Sequence, residues 1–322
     1  MGIYMSNKKR IHLICNAHLD PVWLWEKDEG IAAAISTFRT AAEICEEQGD
    51  TFVFNHNESL LYEWIEEYEP SLFNKIKMLV ERKKWHIMGG WFLQPDCNMP
   101  SGESICRQIE KGQRYFSEKF GVCPTTAINF DPFGHSRGLV QILNKYGYDS
   151  YLFCRPDPAF CTLPDDDFIW KGYDGSTVIA HRAHELYNSL LGKAIEKVEK
   201  VLENNNHRDA VCILWGVGNH GGGPSRKDIK ALNEFIKNHQ EGEVLHSTPE
   251  DYFKDLSKQM ETLPVVENHL NPFAVGCYTS QVRIKQKHRR LENLLYSVEK
   301  MYAHAFVEGL VGREFSKEIR SA

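Results

Sequence analysis

Short apolar runs alternate along the chain with longer amphipathic stretches, and the two periods can be separated by eye. Period-2 or fully apolar runs predict strands at 11–15 (IHLIC), 52–55 (FVFN), 86–90 (HIMGG), 126–130 (TAINF), 151–154 (YLFC), 177–182 (TVIAHR), 211–216 (VCILWG) and 243–247 (EVLHS). Helical spacing predicts helices near 29–48, 58–68, 71–83, 101–119, 137–146, 190–204, 225–238 and 249–259. Ser101, with Glu103 and Ser104 in the first turn, reads as an N-terminal cap. Strand–helix alternation of this kind implies parallel strands with helical crossovers, and this many units suggest an irregular barrel of the TIM type. After Tyr278 the pattern changes. Residues 280–309 form one long helical pattern whose apolar positions (Ile284, Leu291, Leu294, Leu295, Val298, Met301, Tyr302, Ala305) recur at helical spacing. Such a helix needs a partner for its apolar stripe, so it either packs back on the barrel or belongs to something longer.

Composition narrows the class. The net charge of −6 and the lack of a long basic run argue against nucleic acid as a partner. No apolar run reaches the roughly 18 residues of a membrane span, and MGIYMSNKKR lacks the apolar centre of a signal peptide. Nine cysteines lack CxxC spacing, and Cys15, Cys154 and Cys212 sit in apolar contexts, which reads as free thiols in a cytoplasmic protein.

In parallel α/β folds ligands bind at the carboxyl ends of strands. That rule nominates His18 and Asp20; Trp91, Gln94 and Asp96; Asp131, Phe133 and His135; His184, Glu185 and Tyr187; and Asn219 and His220. A His-x-Asp pair with a further Asp and His can form the inner shell of a divalent metal such as zinc. The same pair can also be a satisfied polar closure of a strand. Trp23, Trp25, Trp91 and Phe133 beside carboxylates could wall a sugar site, or each could simply fill the core.

Three motifs compete. GVGNHG (216–221) has dinucleotide-loop spacing but comes late and has no clear strand-end acid about 20 residues on. GHSRG (134–138) and HGGG (220–223) match the nucleophile elbow and oxyanion loop of a serine esterase using Ser136. Their order is reversed relative to that fold, and Pro132 and Phe133 separate Ser136 from its strand.

The segments AHLDPVWLW, GGWFLQPDCNMPSGES, INFDPFGHS, GYDGSTVIAHR, WGVGNHGGGPS and GCYTSQVRIK resemble, in order, the α-mannosidases of glycoside hydrolase family 38. The resemblance implies an irregular (β/α)7 catalytic barrel over residues 1–277. It also implies the start of a helical-bundle domain over 278–322, so that the chain looks truncated. It implies retaining hydrolysis of terminal α-mannosides or oligosaccharides with one zinc per chain. His18, Asp20 and Asp131 would ligate the zinc, Asp131 would also be the nucleophile, and Trp23 and Phe133 would line the sugar site. Trp91, Asp96 and Tyr187 are further substrate-binding candidates. Glu185 is the first candidate for the acid/base, Asp96 the second, and the acidic run 165–167, which reads as a solvated loop, the third. The family commonly places a metal-binding histidine just before the segment matched by AVGCYTSQ. Here Asn271, Pro272 and Phe273 stand instead, which makes His220 a better fourth ligand than His269. A catalytically silent fragment that still binds metal or sugar is the alternative, and homo-oligomerisation is left open.

Overall fold

A computed structural model of the chain describes residues 9–312 apart from Asn206 and Asn219. Its strands are β1 (Arg10–Asn16), β2 (Phe54–Glu58), β3 (Trp85–Trp91), β4 (Thr126–Asn129), β5 (Ser150–Phe153), β6 (Asp167–Lys171), β7 (Thr177–Arg182), β8 (Ala210–Trp215), β9 (Glu243–His246) and β10 (Val265–Val266). They form two sheets. In the first the order is β3-β2-β1-β8 with β9 also paired to β1, and in the second it is β10-β6-β7-β5-β4. Pairing is parallel except between β6 and β7. β3 and β4 adjoin where the two sheets meet, but no ladder joins them. The architecture is therefore mixed α/β with parallel sheets, and the expected barrel is represented by two sheets rather than one continuous hydrogen-bonded ring among the described residues.

The continuous apolar runs follow from burial on both faces. Along β1, Ile11, Leu13 and Cys15 point outward into the core shared with the helix Lys27–Glu47. Ile14 points inward and meets Met88, Ile128, Leu152, Ile179 and Leu214, which come from strands of both sheets. A third cluster, containing Ile105, Leu139, Tyr151 and Trp170, packs the helices Gly102–Phe120 and Leu139–Lys145 on the second sheet. Ser101 caps the helix Gly102–Phe120 by accepting from Ser104 N, and Gly121 ends it in the left-handed region at φ 67°.

Two strands are absent from the sequence reading. β10 is only two residues long, below what a periodic pattern can signal. β6 begins at Asp167, inside the acidic run expected to be a solvated loop. Asp167 is buried instead, because Arg208, His181 and Tyr252 all donate to it. β2 also runs later than expected, to Glu58, and all five of its residues are buried although most are polar.

The helix Val282–Val307 docks through its polar edge. Glu292 accepts from Ser101 N at 2.9 Å, and the Tyr296 hydroxyl pairs with Ser101 Oγ at 2.8 Å. Its apolar positions Ile284, Leu291, Leu294, Val298 and Met301 stay exposed. No helix among the described residues is long and apolar enough to cross a membrane. All nine cysteines are unpaired thiols.

Candidate active site

A cavity of about 810 Å³ opens at the carboxyl ends of β1 to β5. His18 and Asp20 reach it from the turn after β1, Glu58 from the end of β2, and Gln94 and Asp96 from the segment after β3. Asn129 and Asp131 reach it from β4 and the turn beyond, and Arg155 from the turn after β5.

His18 is the centre of the arrangement. Its Nε2 lies 3.4 Å from Asp20 Oδ1 and 3.8 Å from Asp131 Oδ2, and among the described residues neither ring nitrogen makes a well-aligned hydrogen bond. Burial lowers its pKa, but Asp20, Glu58 and Asp131 outweigh that and hold it above the ordinary value. The Tyr187 ring covers the imidazole at 4.4 Å. Asp131 is oriented from its other side, where Oδ1 accepts from Arg155 Nε. Asp96 is also fixed. Its Oδ1 accepts from the backbone of Asn98 and Met99, both at 2.8 Å, and its Oδ2 from the Tyr278 hydroxyl at 3.0 Å.

A buried imidazole with two orphaned nitrogens beside two carboxylates is the donor chemistry of a divalent metal site. Ligands about 2.0–2.1 Å from a tetrahedral zinc stand roughly 3.3–3.5 Å apart. The His18–Asp20 separation matches that, and the His18–Asp131 separation exceeds it slightly. Among the described residues, no three His, Cys, Asp or Glu side chains are drawn together as a formed metal cage.

Several sequence candidates fall elsewhere. Glu185 sits in a left-handed turn at φ 60° and pairs with Lys200 at 2.9 Å, so it faces solvent and not the cavity. Trp91 is fully buried against Tyr148 and is core, not sugar wall. His220 packs its ring on Trp25 at 3.4 Å, with Nε2 3.5 Å from Glu29, and does not line the cavity. His269 is held by Arg137 N and the Tyr173 hydroxyl. His135 bonds Arg155 O at 2.6 Å and the Tyr151 hydroxyl at 2.7 Å, which commits both its nitrogens to structure. Ser136 lies outside the cavity, and no described imidazole reaches it as a base. Asn219 lies outside the described residues. Trp23, Phe133 and Tyr187 line the cavity; Trp23 is 61% exposed at its rim.

Three polar residues of the cavity, Arg155, Glu58 and Asn129, escaped the sequence reading. Arg155 follows the strand 151–154 directly, so the strand-end rule applied there finds it. Glu58 belongs to a polar stretch, NHNES, that reads as the start of a helix. Burial raises the Glu58 pKa against the opposing effects of His18 and Gln94.

Residues 8–274 match the family model for the N-terminal domain of glycosyl hydrolases family 38. Alpha-mannosidase G of Dictyostelium discoideum is 29% identical over 97% of this chain and 29% of its own length. Human alpha-mannosidase 2C1 is 29% identical over 91% of this chain and 29% of its own. The fold superposes on an alpha-mannosidase from Enterococcus faecalis V583 with a TM-score of 0.70 and 18% identity, covering 82% of this chain and 31% of that one. The chain thus spans less than a third of the length of these relatives. The family match spans the strands and turns that carry every residue of the cavity wall, and the chain belongs to glycosyl hydrolase family 38.

Proposed function

We propose that this chain carries the catalytic centre of a zinc-dependent, retaining α-mannosidase acting on terminal α-mannosides. The observation that carries the reading is the pair of carboxylates, Asp20 and Asp131, beside the His18 imidazole in a cavity at the strand ends. His18, Asp20 and Asp131 would hold the zinc, with the remaining position left to water, substrate or another residue. When bound, zinc would supply a fixed Lewis-acidic anchor for sugar hydroxyls.

The chain's own groups do the rest. Arg155 holds Asp131 Oδ1 and so fixes the direction in which the carboxylate faces the cavity. Asp131 attacks the anomeric carbon; the bond to the aglycone oxygen breaks as the glycosyl ester forms. A second carboxyl protonates the departing oxygen, then takes a proton from the water that cleaves the ester, restoring both groups. Retention requires that carboxyl about 5–5.5 Å from the nucleophile. Asp96 is the proposed donor, since it lines the same cavity and Glu185 does not; its Oδ2 would carry the proton with the Tyr278 hydroxyl turned to Phe133 O. Trp23 and Phe133 offer apolar faces to the C–H side of the ring.

Protein purified without added metal is expected to carry about one zinc per chain. It is expected to hydrolyse an aryl α-mannoside with loss of activity in Asp131→Asn. Zinc and sugar binding without turnover would favour a silent binding fragment. Absence of zinc, with no gain on its addition, would sink the metal reading.

A further inference from the structure

The cavity wall holds further unsatisfied groups besides the His18 nitrogens. Glu58 and Asn129 are 2% and 0% exposed and both line the cavity. Each is locked at one end. Glu58 Oε1 accepts from Gln94 Nε2 at 2.9 Å and from Gln94 N at 3.2 Å. Gln94 cannot turn its amide over, because its Oε1 accepts from Phe130 N at 2.6 Å. Asn129 Nδ2 donates to Pro95 O at 3.2 Å and to Cys97 Sγ at 2.9 Å, which fixes its amide likewise. Among the described residues, Glu58 Oε2 and Asn129 Oδ1 are then left buried without a hydrogen-bond partner.

Leaving a buried acceptor unmade is costly, and preorganised orphans in a cavity wall mark positions a ligand completes. We propose that Glu58 Oε2 and Asn129 Oδ1 are a hydroxyl-recognition pair that binds ring hydroxyls of a pyranoside. This assignment rests on the glycosidase reading of the cavity. A hydroxyl is the group that suits both residues. It donates to the Asn129 oxygen, and it pairs with Glu58 as donor or as acceptor, whichever protonation state the buried carboxyl holds. An ammonium could satisfy the carboxylate form only. The pair therefore selects substrates whose hydroxyls are free at the positions seated there, and rejects deoxy or O-substituted sugars.

The test is calorimetric binding of the methyl α-glycosides of mannose, glucose and galactose, and of the monodeoxy forms of whichever binds. The proteins are the wild type, Glu58→Leu, Asn129→Leu and Glu58→Gln. Glu58→Leu should weaken the parent glycoside on the order of 10- to 100-fold. The loss should vanish for one monodeoxy analogue, whose missing hydroxyl is the partner. Glu58→Gln, which still offers a polar atom, should recover most of the affinity; if the Leu variants do not fold, it carries the same deoxy comparison at smaller amplitude. Equal losses across all deoxy analogues, or loss of bound zinc in Glu58→Gln, would overturn the assignment. Undiminished binding in Glu58→Leu, with aryl α-mannoside hydrolysis intact, overturns the pair and leaves the mannosidase reading standing. Glucoside or galactoside binding with the expected deoxy pattern, and no binding of mannoside, does the reverse. Failure of the wild type to bind any hexoside overturns the pair.

Discussion

His18, Asp131, Arg155 and Tyr187 in the cavity, and His181, Asp167, Arg208 and Tyr252 beyond it, are the same four side-chain types assembled twice. In the second cluster Asp167 is saturated. It accepts from His181 Nδ1 at 2.6 Å, from the Tyr252 hydroxyl at 2.7 Å and from the Arg208 guanidinium. Burial works against its charge, yet those donors lower its pKa to about 2. In the cavity, among the described residues, the imidazole is left with both nitrogens unpaired, whereas His181 leaves only its Nε2 so. Composition is thus no guide to role. A closed network spends its hydrogen bonds on the fold, and an open one keeps them for a ligand.

That contrast is broken most severely at Asp131. Asp131→Ala should lower kcat on an aryl α-mannoside by about 10⁴-fold, the scale seen when a reacting group is removed. Its urea-unfolding midpoint should move little, because the carboxylate is partly exposed and is held by Arg155, with His18 more distant at 3.8 Å. Asp167→Asn should do the opposite. Breaking a buried ionic cluster costs about 3–5 kcal/mol of stability, read by urea unfolding, with kcat preserved in the fraction that remains folded. A large kcat loss in folded Asp167→Asn, or a large stability loss in Asp131→Ala, would dissolve the distinction.

Acid sharpens it. Burial lowers the His56 pKa to about 3, against about 6.5 when unfolded. The folded value is depressed, so the contribution is fully present above about pH 6.5 and is lost as pH falls towards 3. By pH 4.5 this one group should cost about 2–3 kcal/mol, and His56→Leu should remove that much of the pH dependence of unfolding. The smallest effect concerns the turn over His18. Lys197 Nζ donates to Leu186 O at 2.9 Å and Asn188 O at 3.0 Å, on either side of Tyr187. Lys197→Met should loosen Tyr187 and lower kcat/KM about tenfold, on the order of one hydrogen bond to a charged group.

Much of this was legible in the chain, and the omissions have physical causes. His18, Asp20 and Asp131 stand directly after strong apolar runs, where the strand-end rule applies with little ambiguity. Glu58 was hidden because β2 is mostly polar: His56 is buried among Phe38, Phe54 and Tyr62, Asn55 donates to Cys15 O and Ser247 O, and Glu58 accepts from Gln94, so no alternation of apolar and polar positions marks the strand. Asp167 was read as solvated because its neutralising partners, Arg208 and His181, are distant in sequence. Trp91 and Glu185 show the limit of the rule itself. Strand-end position gives a residue's height in the fold, but whether its side chain points into the mouth, the core or solvent depends on local turn geometry.

The seam between β3 and β4 has a mechanical consequence. Without a ladder, the two leaves are stitched there by side chains, Gln94 to Phe130 N and Asn129 to Pro95 O. Glu58, His18 and Asp20 ride on the first leaf, Asn129, Asp131 and Arg155 on the second. Anything gripped by both sets of groups acts as a rivet across a joint. Amide exchange in β3 and β4 should therefore slow on ligand binding, while the laddered pair β1–β8 stays unchanged.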